Sequence, residues 1–323
     1  MSTSVKFGAL VNPTSRRNLR RPQDISNLVA KGAIIETPAS LEEVPAAINR
    51  LTASKLDVLA ISGGDGTVLR ALTHILANGT SDNQPALCLT PDGTTNMTAA
   101  DVGMPSGINT LDRAYELAKS GKGKLITRQT IRLEGVTDRM GSTAPQIGMF
   151  FGAIGICRAI AFCRTHLHRR GIVGGVASWL TLTPLLLKNV LSSNENGVLA
   201  GSAMTLNTVD KNGIGHVLDG SYSILMASTL ERLALGARPF WGEGSGLPMT
   251  AVKAPPPKLL ANIGPLLFGR AKRPKEPGYT SLKNDFYEIF YTGQVTLDGE
   301  LYYAEAAQPI RLSAGGEVRF LVP

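Results

Sequence analysis

Gly63-Gly64-Asp65-Gly66-Thr67 places an aspartate inside a glycine turn, between the apolar run Asp57-Val58-Leu59-Ala60-Ile61-Ser62 and the helix-like Val68-Leu69-Arg70-Ala71-Leu72. Strand, glycine turn and helix start form a phosphate-binding geometry. Glycines admit positive φ and let a ligand reach peptide N–H groups, while the first amides of the helix point at an anion. Asp65 alone would repel a phosphate, so a divalent cation or ligand hydroxyls must stand between them. The turn therefore points to a nucleotide with a metal. A second acidic element, Asp298-Gly299-Glu300, follows Val295-Thr296-Leu297. In an extended chain its two carboxylates share a face, so that one can hold a metal or orient a hydroxyl while the other takes its proton. An Asp-Gly pair is also ordinary hairpin chemistry.

The elements that must position these groups alternate in the first third of the chain. Val5–Val11 reads as a strand ending at Asn12-Pro13-Thr14-Ser15, residues 22–32 as a helix, and 32–36 as a second strand. Ser40 with Glu43 makes a capping box for a helix through about Ala53, and Val58–Ile61 is the third strand. Thr67–Asn78 is helical, Pro85–Leu89 is strand, Pro91-Asp92-Gly93-Thr94-Thr95-Asn96 is a further polar turn, and Leu111–Lys119 is helical. Strand-helix alternation predicts a parallel sheet covered on both faces. The turns at 12–17, 62–67 and 91–96 then share its carboxyl edge, where open α/β sheets bind ligands.

After about Lys124 the pattern changes to short β-branched or aromatic segments, at 130–134, 148–152, 203–207, 222–226, 249–252, 285–290 and 294–297, with helices at about 154–169 and 176–191. The fold class is thus α/β: an N-terminal three-layer Rossmann-like nucleotide domain, residues 1–126, and a C-terminal β-sandwich domain with inserted helices, residues 127–308. Residues 309–323 form a tail that could return to the first domain. A length of 323 residues suits two domains.

With 43% hydrophobic and 18% charged residues the chain is globular and not disordered. Thirty-three basic against 25 acidic residues give +8, which favours phosphates, nucleic acid or an anionic membrane without choosing among them. Basic residues gather at Arg16-Arg17 with Arg20-Arg21, at His166–Arg170 and at Arg270-Ala271-Lys272-Arg273-Pro274-Lys275, each readable as solvated surface charge. Cys88, Cys157 and Cys163 are too few and wrongly spaced for a disulfide framework or a zinc site, which fits a reducing cytoplasm. The start of the chain lacks the pattern of a secretory signal. Gly171–Leu191, interrupted by Pro184 and Lys188, reads as a buried or interfacial helix and not as a span.

Four features in order give the chain a resemblance to the diacylglycerol kinase and sphingosine kinase superfamily of lipid kinases: Asn12-Pro13-Thr14-Ser15, GGDGT at 63–67, Pro91-x-Gly93-Thr94-x-Asn96, and Leu297-Asp298-Gly299-Glu300. The resemblance spans nearly the whole chain. The GGDGT turn alone is shared with NAD kinases and 6-phosphofructokinases, so the ordered set carries the specificity.

The resemblance implies an ATP-dependent kinase acting on a lipid hydroxyl, with ATP and Mg2+ as cofactors. Asn12, Pro13, Thr14 and Arg17 would sit by the nucleotide, and Gly63, Gly64, Asp65, Gly66 and Thr67 would hold its phosphates, with Asp65 joined to them through magnesium. Gly93, Thr94 and Asn96 would line the pocket, and Asp298 and Glu300 would activate the acceptor hydroxyl. It implies a lipid substrate, transient contact with an anionic membrane surface from the cytoplasm and no nucleic-acid partner, and is compatible with a homodimer. The chain departs from the family at Met97, where an aspartate is usual, at Ser245, which removes a carboxylate used by related enzymes for a second metal, and at Arg16, where glycine is common. A NAD kinase shares fold and turn, and a catalytically idle lipid- or nucleotide-binding protein is the rival of another class.

Overall fold

The computed structural model describes residues 5–78, 84–93, 95–107, 109–170, 197–233, 236–268, 273–274 and 276–323, with the backbone alone at 78 and over 163–170. The chain forms two compact units, Met1–Thr130 with Gly316–Pro323, and Ile131–Gly315. The helix expected at 176–191 lies outside the described residues.

In the first unit, β1 (Phe7–Val11), β2 (Ile34–Glu36), β3 (Val58–Gly63) and β4 (Ala86–Pro91) pair in parallel in the order β2-β1-β3-β4. β1, β3 and β4 are buried along their whole length, as their unbroken apolar runs require of strands covered on both faces. Six helices of this unit are α1 (Arg16–Arg20), α2 (Ser26–Ala30), α3 (Val44–Ala53), α4 (Asp65–Asn78), α5 (Met97–Asp101) and α6 (Thr110–Ser120). Alternate residues of β1 point to opposite layers. Phe7, Ala9 and Val11 share a core with Leu111, Ala114, Tyr115 and Ala118 of α6, whereas Gly8 faces Leu51 of α3.

The helix expected over 22–32 is shorter, α2 at Ser26–Ala30, and a further short helix not expected from the sequence, α1, lies before Pro22. The ring of Pro22 fixes its φ, and the residue before a proline is pushed out of the α region, so the first helix stops there. The capping box at Ser40 is also displaced. The Glu43 carboxylate accepts the Ala39 N–H at 2.9 Å, and α3 begins at Val44 with Pro45 in its first turn.

The second unit is antiparallel and β-rich. Its strands are β5 (Lys124–Glu134, from Ile131 onward), β6 (Gln146–Gly148), β7 (Phe150–Ile154), β8 (Ser202–Val209), β9 (Gly215–Ser228), β10 (Leu247–Lys253), β11 (Tyr279–Asn284), β12 (Phe286–Phe290), β13 (Gly293–Leu297) and β14 (Glu300–Ala304). β9 changes partners along its length: Gly215–Tyr222 pairs with β8, and its far half lies between β7 and β10. One strand thereby serves two parts of the sheet. Helices α7 (Gly155–Arg170) and α8 (Leu259–Leu267) are inserted between strands. Tyr287, fully buried, donates its hydroxyl to Leu247 O at 2.8 Å and accepts the Asn284 N–H at 2.9 Å. Burial pushes this phenol upward, so it stays protonated and keeps the pin.

The last strand, β15 (Ile310–Val322), pairs through residues 310–313 with β12. Its final residues belong to the first unit, where Phe320 pairs in parallel with Leu87 of β4 and Leu321 joins the core beneath α6.

Candidate active-site groups

In the first unit the turns after β1, β3 and β4 are bonded to one another at the carboxyl ends of their strands. Asn12 is buried and works in three directions: its N–H donates to Ser62 O at 2.8 Å, its Oδ1 accepts the Thr14 N–H and hydroxyl at 2.9 and 2.7 Å, and its Nδ2 donates to Thr67 Oγ1 at 2.8 Å. Thr67 thus receives its orientation from a residue 55 positions away. Pro13 and Thr14 are exposed at the tip. Both carboxylate oxygens of Asp65 accept backbone amides of the third turn, from Asn96 at 3.0 Å and Met97 at 3.1 Å. Asn96 holds the left-handed conformation at φ 51°, accepts the Gly93 N–H at 2.7 Å and donates to Gly93 O at 3.0 Å. That backbone region is one asparagine tolerates better than most residues. Thr94 lies outside the described residues.

The glycines at the crossing are there for space. A Cβ on Gly93 would stand 2.4 Å from Gly64 Cα, and one on Gly63 would stand 2.6 Å from Thr67 Oγ1. The first clash is against backbone, which cannot swing aside. Gly93→Ala is expected to force the second and third turns apart and to lower stability by about 1–3 kcal/mol, read from denaturant unfolding. An unchanged midpoint would show that the turns are free to separate.

Asp92 is the residue the sequence pattern hid, because it occupies the unspecified position between Pro91 and Gly93. Its carboxylate is fully buried and accepts the hydroxyls of Thr90 at 2.5 Å, Ser62 at 2.7 Å and Thr110 at 3.1 Å. Arg17 Nε lies 3.7 Å away, and the Arg17 N–H donates to Asp92 O at 3.2 Å. A buried carboxylate is tolerated when it is paired and its lone pairs are filled, and Asp92 meets both conditions. It fixes Arg17, whose side chain remains one-quarter exposed.

In the second unit, Leu297 pairs with Glu300 across a two-residue turn, so Asp298 and Gly299 form the tip of a hairpin. Both have positive φ, 48° and 87°, as the turn that suits twisted strands requires. The shared face expected of an extended Asp-x-Glu is therefore replaced: Asp298 sits in the turn and Glu300 opens the returning strand. Asp298 is buried, and its carboxylate accepts the N–H groups of Phe150 at 2.8 Å and Met149 at 3.0 Å. Its own N–H donates to Phe150 O at 2.8 Å. Gly148 leaves the room for this, since a Cβ there would stand 2.6 Å from Asp298 Oδ2. Glu300 is half-buried.

The first unit thus gathers Asn12, Thr14, Arg17, Gly63, Gly64, Asp65, Gly66, Thr67, Gly93 and Asn96, and the second holds Asp298 and Glu300. Among the described residues no group of three His, Cys, Asp or Glu side chains could hold a metal. A magnesium ion commonly binds through one carboxylate with substrate phosphates and water, a donor set that a single carboxylate such as Asp65 fits. Burial pushes the thiols of Cys88 and Cys157 up to about 12, which rules them out as nucleophiles near neutral pH. Among the described residues no helix is long and apolar enough to cross a membrane.

The first unit is thus an α/β unit with three interlocked turns, and the second is a β-rich unit with a carboxylate hairpin. Residues 6–127 match the sequence model of the diacylglycerol kinase catalytic domain. No curated protein matches the chain. Three solved structures from Bacillus anthracis str. Sterne, all described as diacylglycerol kinases, share the fold. One is 16% identical with a TM-score of 0.68, covering 100% of this chain and 99% of its own. The second is 17% identical at 0.63, covering 100% and 98%. The third is 16% identical at 0.64, covering 99% and 98%.

Proposed function

We propose that the protein is an ATP- and magnesium-dependent lipid kinase that transfers the γ-phosphate to a hydroxyl of a diacylglycerol, sphingoid or related lipid. The observation that carries this reading is the interlocking of three turns around Asp65 at the carboxyl edge of a parallel sheet, within the segment that matches a lipid-kinase catalytic domain. Asn12, Pro13, Thr14, Arg17, Gly63–Thr67, Gly93, Thr94 and Asn96 bind the nucleotide, and the guanidinium of Arg17, fixed by Asp92, forks onto phosphate oxygens. Asp65 would hold the magnesium ion, which would supply charge neutralisation to the phosphates. Glu300 takes the proton of the acceptor hydroxyl as that oxygen attacks the γ-phosphorus. The bond to the β,γ-bridging oxygen breaks, leaving ADP and a phosphomonoester. Asp298 holds the hairpin, since a carboxylate engaged by two backbone amides is a poor proton acceptor. The enzyme works from the cytoplasm at the membrane surface.

A non-catalytic binder is favoured by one observation, the engagement of both Asp65 and Asp298 by backbone amides. Incubation with γ-labelled ATP and an extracted lipid mixture, with NAD in a parallel tube, separates the readings. Label in a lipid phosphomonoester is expected. Label in NADP, or nucleotide binding with no transfer to any acceptor, would overturn the proposal.

A further inference from the structure

Helix α8 in the second unit is amphipathic the wrong way round for a soluble surface. Leu260, Gly264, Leu267 and Phe268 recur at the three- and four-residue spacing of one helix face, and that face is turned to water: Leu260 is 67% exposed, Leu267 37% and Phe268, at the C-cap, 56%. The polar residue of the helix, Asn262, is on the inside, donating its amide to Pro257 O at 3.2 Å and Lys258 O at 3.3 Å. Leu266 anchors the inner face in a cluster with Met226, Val252 and Tyr279. Tyr279 also donates its hydroxyl to Pro257 O at 2.9 Å, so the helix start is fixed from both sides. The exposed leucines and phenylalanine thus sit on a helix held in place, and a contiguous apolar face of this kind marks an interaction surface.

Charge says what the face meets. From Lys253 to Gly278 the sequence carries six basic residues and one acidic, Glu276, a large part of the +8 of the whole chain. Among the described ones, Lys253, Lys258 and Arg273 are exposed. Lys258 and Arg273 keep nearby partners in Glu276 at 2.8 Å and Glu243 at 2.6 Å. We infer that the outer face of α8 docks on an anionic bilayer, lying in the interface with Leu260, Leu267 and Phe268 among the acyl chains and the flanking lysines and arginines at the headgroups. The choice of a bilayer over a protein partner rests on the lipid-kinase reading; the apolar face and its basic flanks do not.

The test is co-sedimentation of the full chain with phosphatidylcholine vesicles, with and without phosphatidylglycerol, for the wild type, the double variant Leu260→Ser/Phe268→Ser, and Lys258→Glu. All three positions are exposed, and a thermal melt checks that each variant is folded. Wild type is expected to sediment with the anionic vesicles in preference to the neutral ones. The double variant should bind at least about tenfold more weakly, and Lys258→Glu should lose the preference for anionic lipid. Equal binding by wild type and double variant would overturn the inference. So would a wild-type dimer in analytical ultracentrifugation that the double variant abolishes, since the occupant would then be a second copy. Transfer of label to a micellar lipid, assayed alongside, reports on the kinase reading separately: vesicle binding without transfer removes the function and keeps the surface, and transfer without α8-dependent binding does the reverse.

Discussion

Asp65→Ala is expected to lose nearly all phosphoryl transfer, with turnover at least about a hundredfold lower, while the protein remains folded. Two consequences of one deletion add up here. The carboxylate is the acceptor for the Asn96 and Met97 amides, so its removal frees the third turn from the second and leaves two donors to water. It is also the one acidic side chain in the glycine turn, and a magnesium–phosphate pair placed there loses its anchor. A nucleotide misplaced by about an ångström is enough for a loss of this order. The half-buried position limits the cost in stability. Steady-state rates over a magnesium series, with thermal melts alongside, read both effects. A variant retaining most of its activity would refute the assignment.

The two carboxylates of the hairpin are expected to fail differently. Glu300→Gln should cut turnover by about a hundredfold to ten-thousandfold and leave the melting temperature near the wild-type value, as removal of a proton acceptor does. Asp298→Asn should lower stability by about 1–3 kcal/mol as well as activity. An asparagine keeps the Oδ1 acceptor that Phe150 and Met149 share but turns an NH2 toward the Met149 amide, so donor faces donor where Oδ2 accepted. Equal melting temperatures for the two variants, or full activity in Glu300→Gln, would contradict this division of labour.

The parallel strands of the first unit and the positions of the three turns were legible because unbroken apolar runs, glycines and prolines act locally. Features made by distant partners were not. Asp92 is an unremarked residue in Pro91-x-Gly93 until Ser62 and Thr110 fold against it. The Ser40–Glu43 pattern obeys a local rule, yet Pro45 and the Ala39 amide set a later helix start. Helix α5 is five residues long, too short for a periodic signal, and rests on the Asp65 carboxylate. Helix α8 carries Pro265 in its interior and an apolar face on the solvent side, both of which argue against a surface helix in the sequence. Asp298 and Glu300 were recognisable as a pair, but their separation across a turn depends on two positive φ angles that the spacing alone leaves undecided.

Because Phe320 and Leu321 complete the edge and core of a unit whose other strands are made first, that unit reaches its finished form only after residues 316–323 have been made. During synthesis, β4 waits with a bare edge while residues 131–315 emerge. The order of translation thereby withholds a finished parallel sheet until residues 131–315 have already been made.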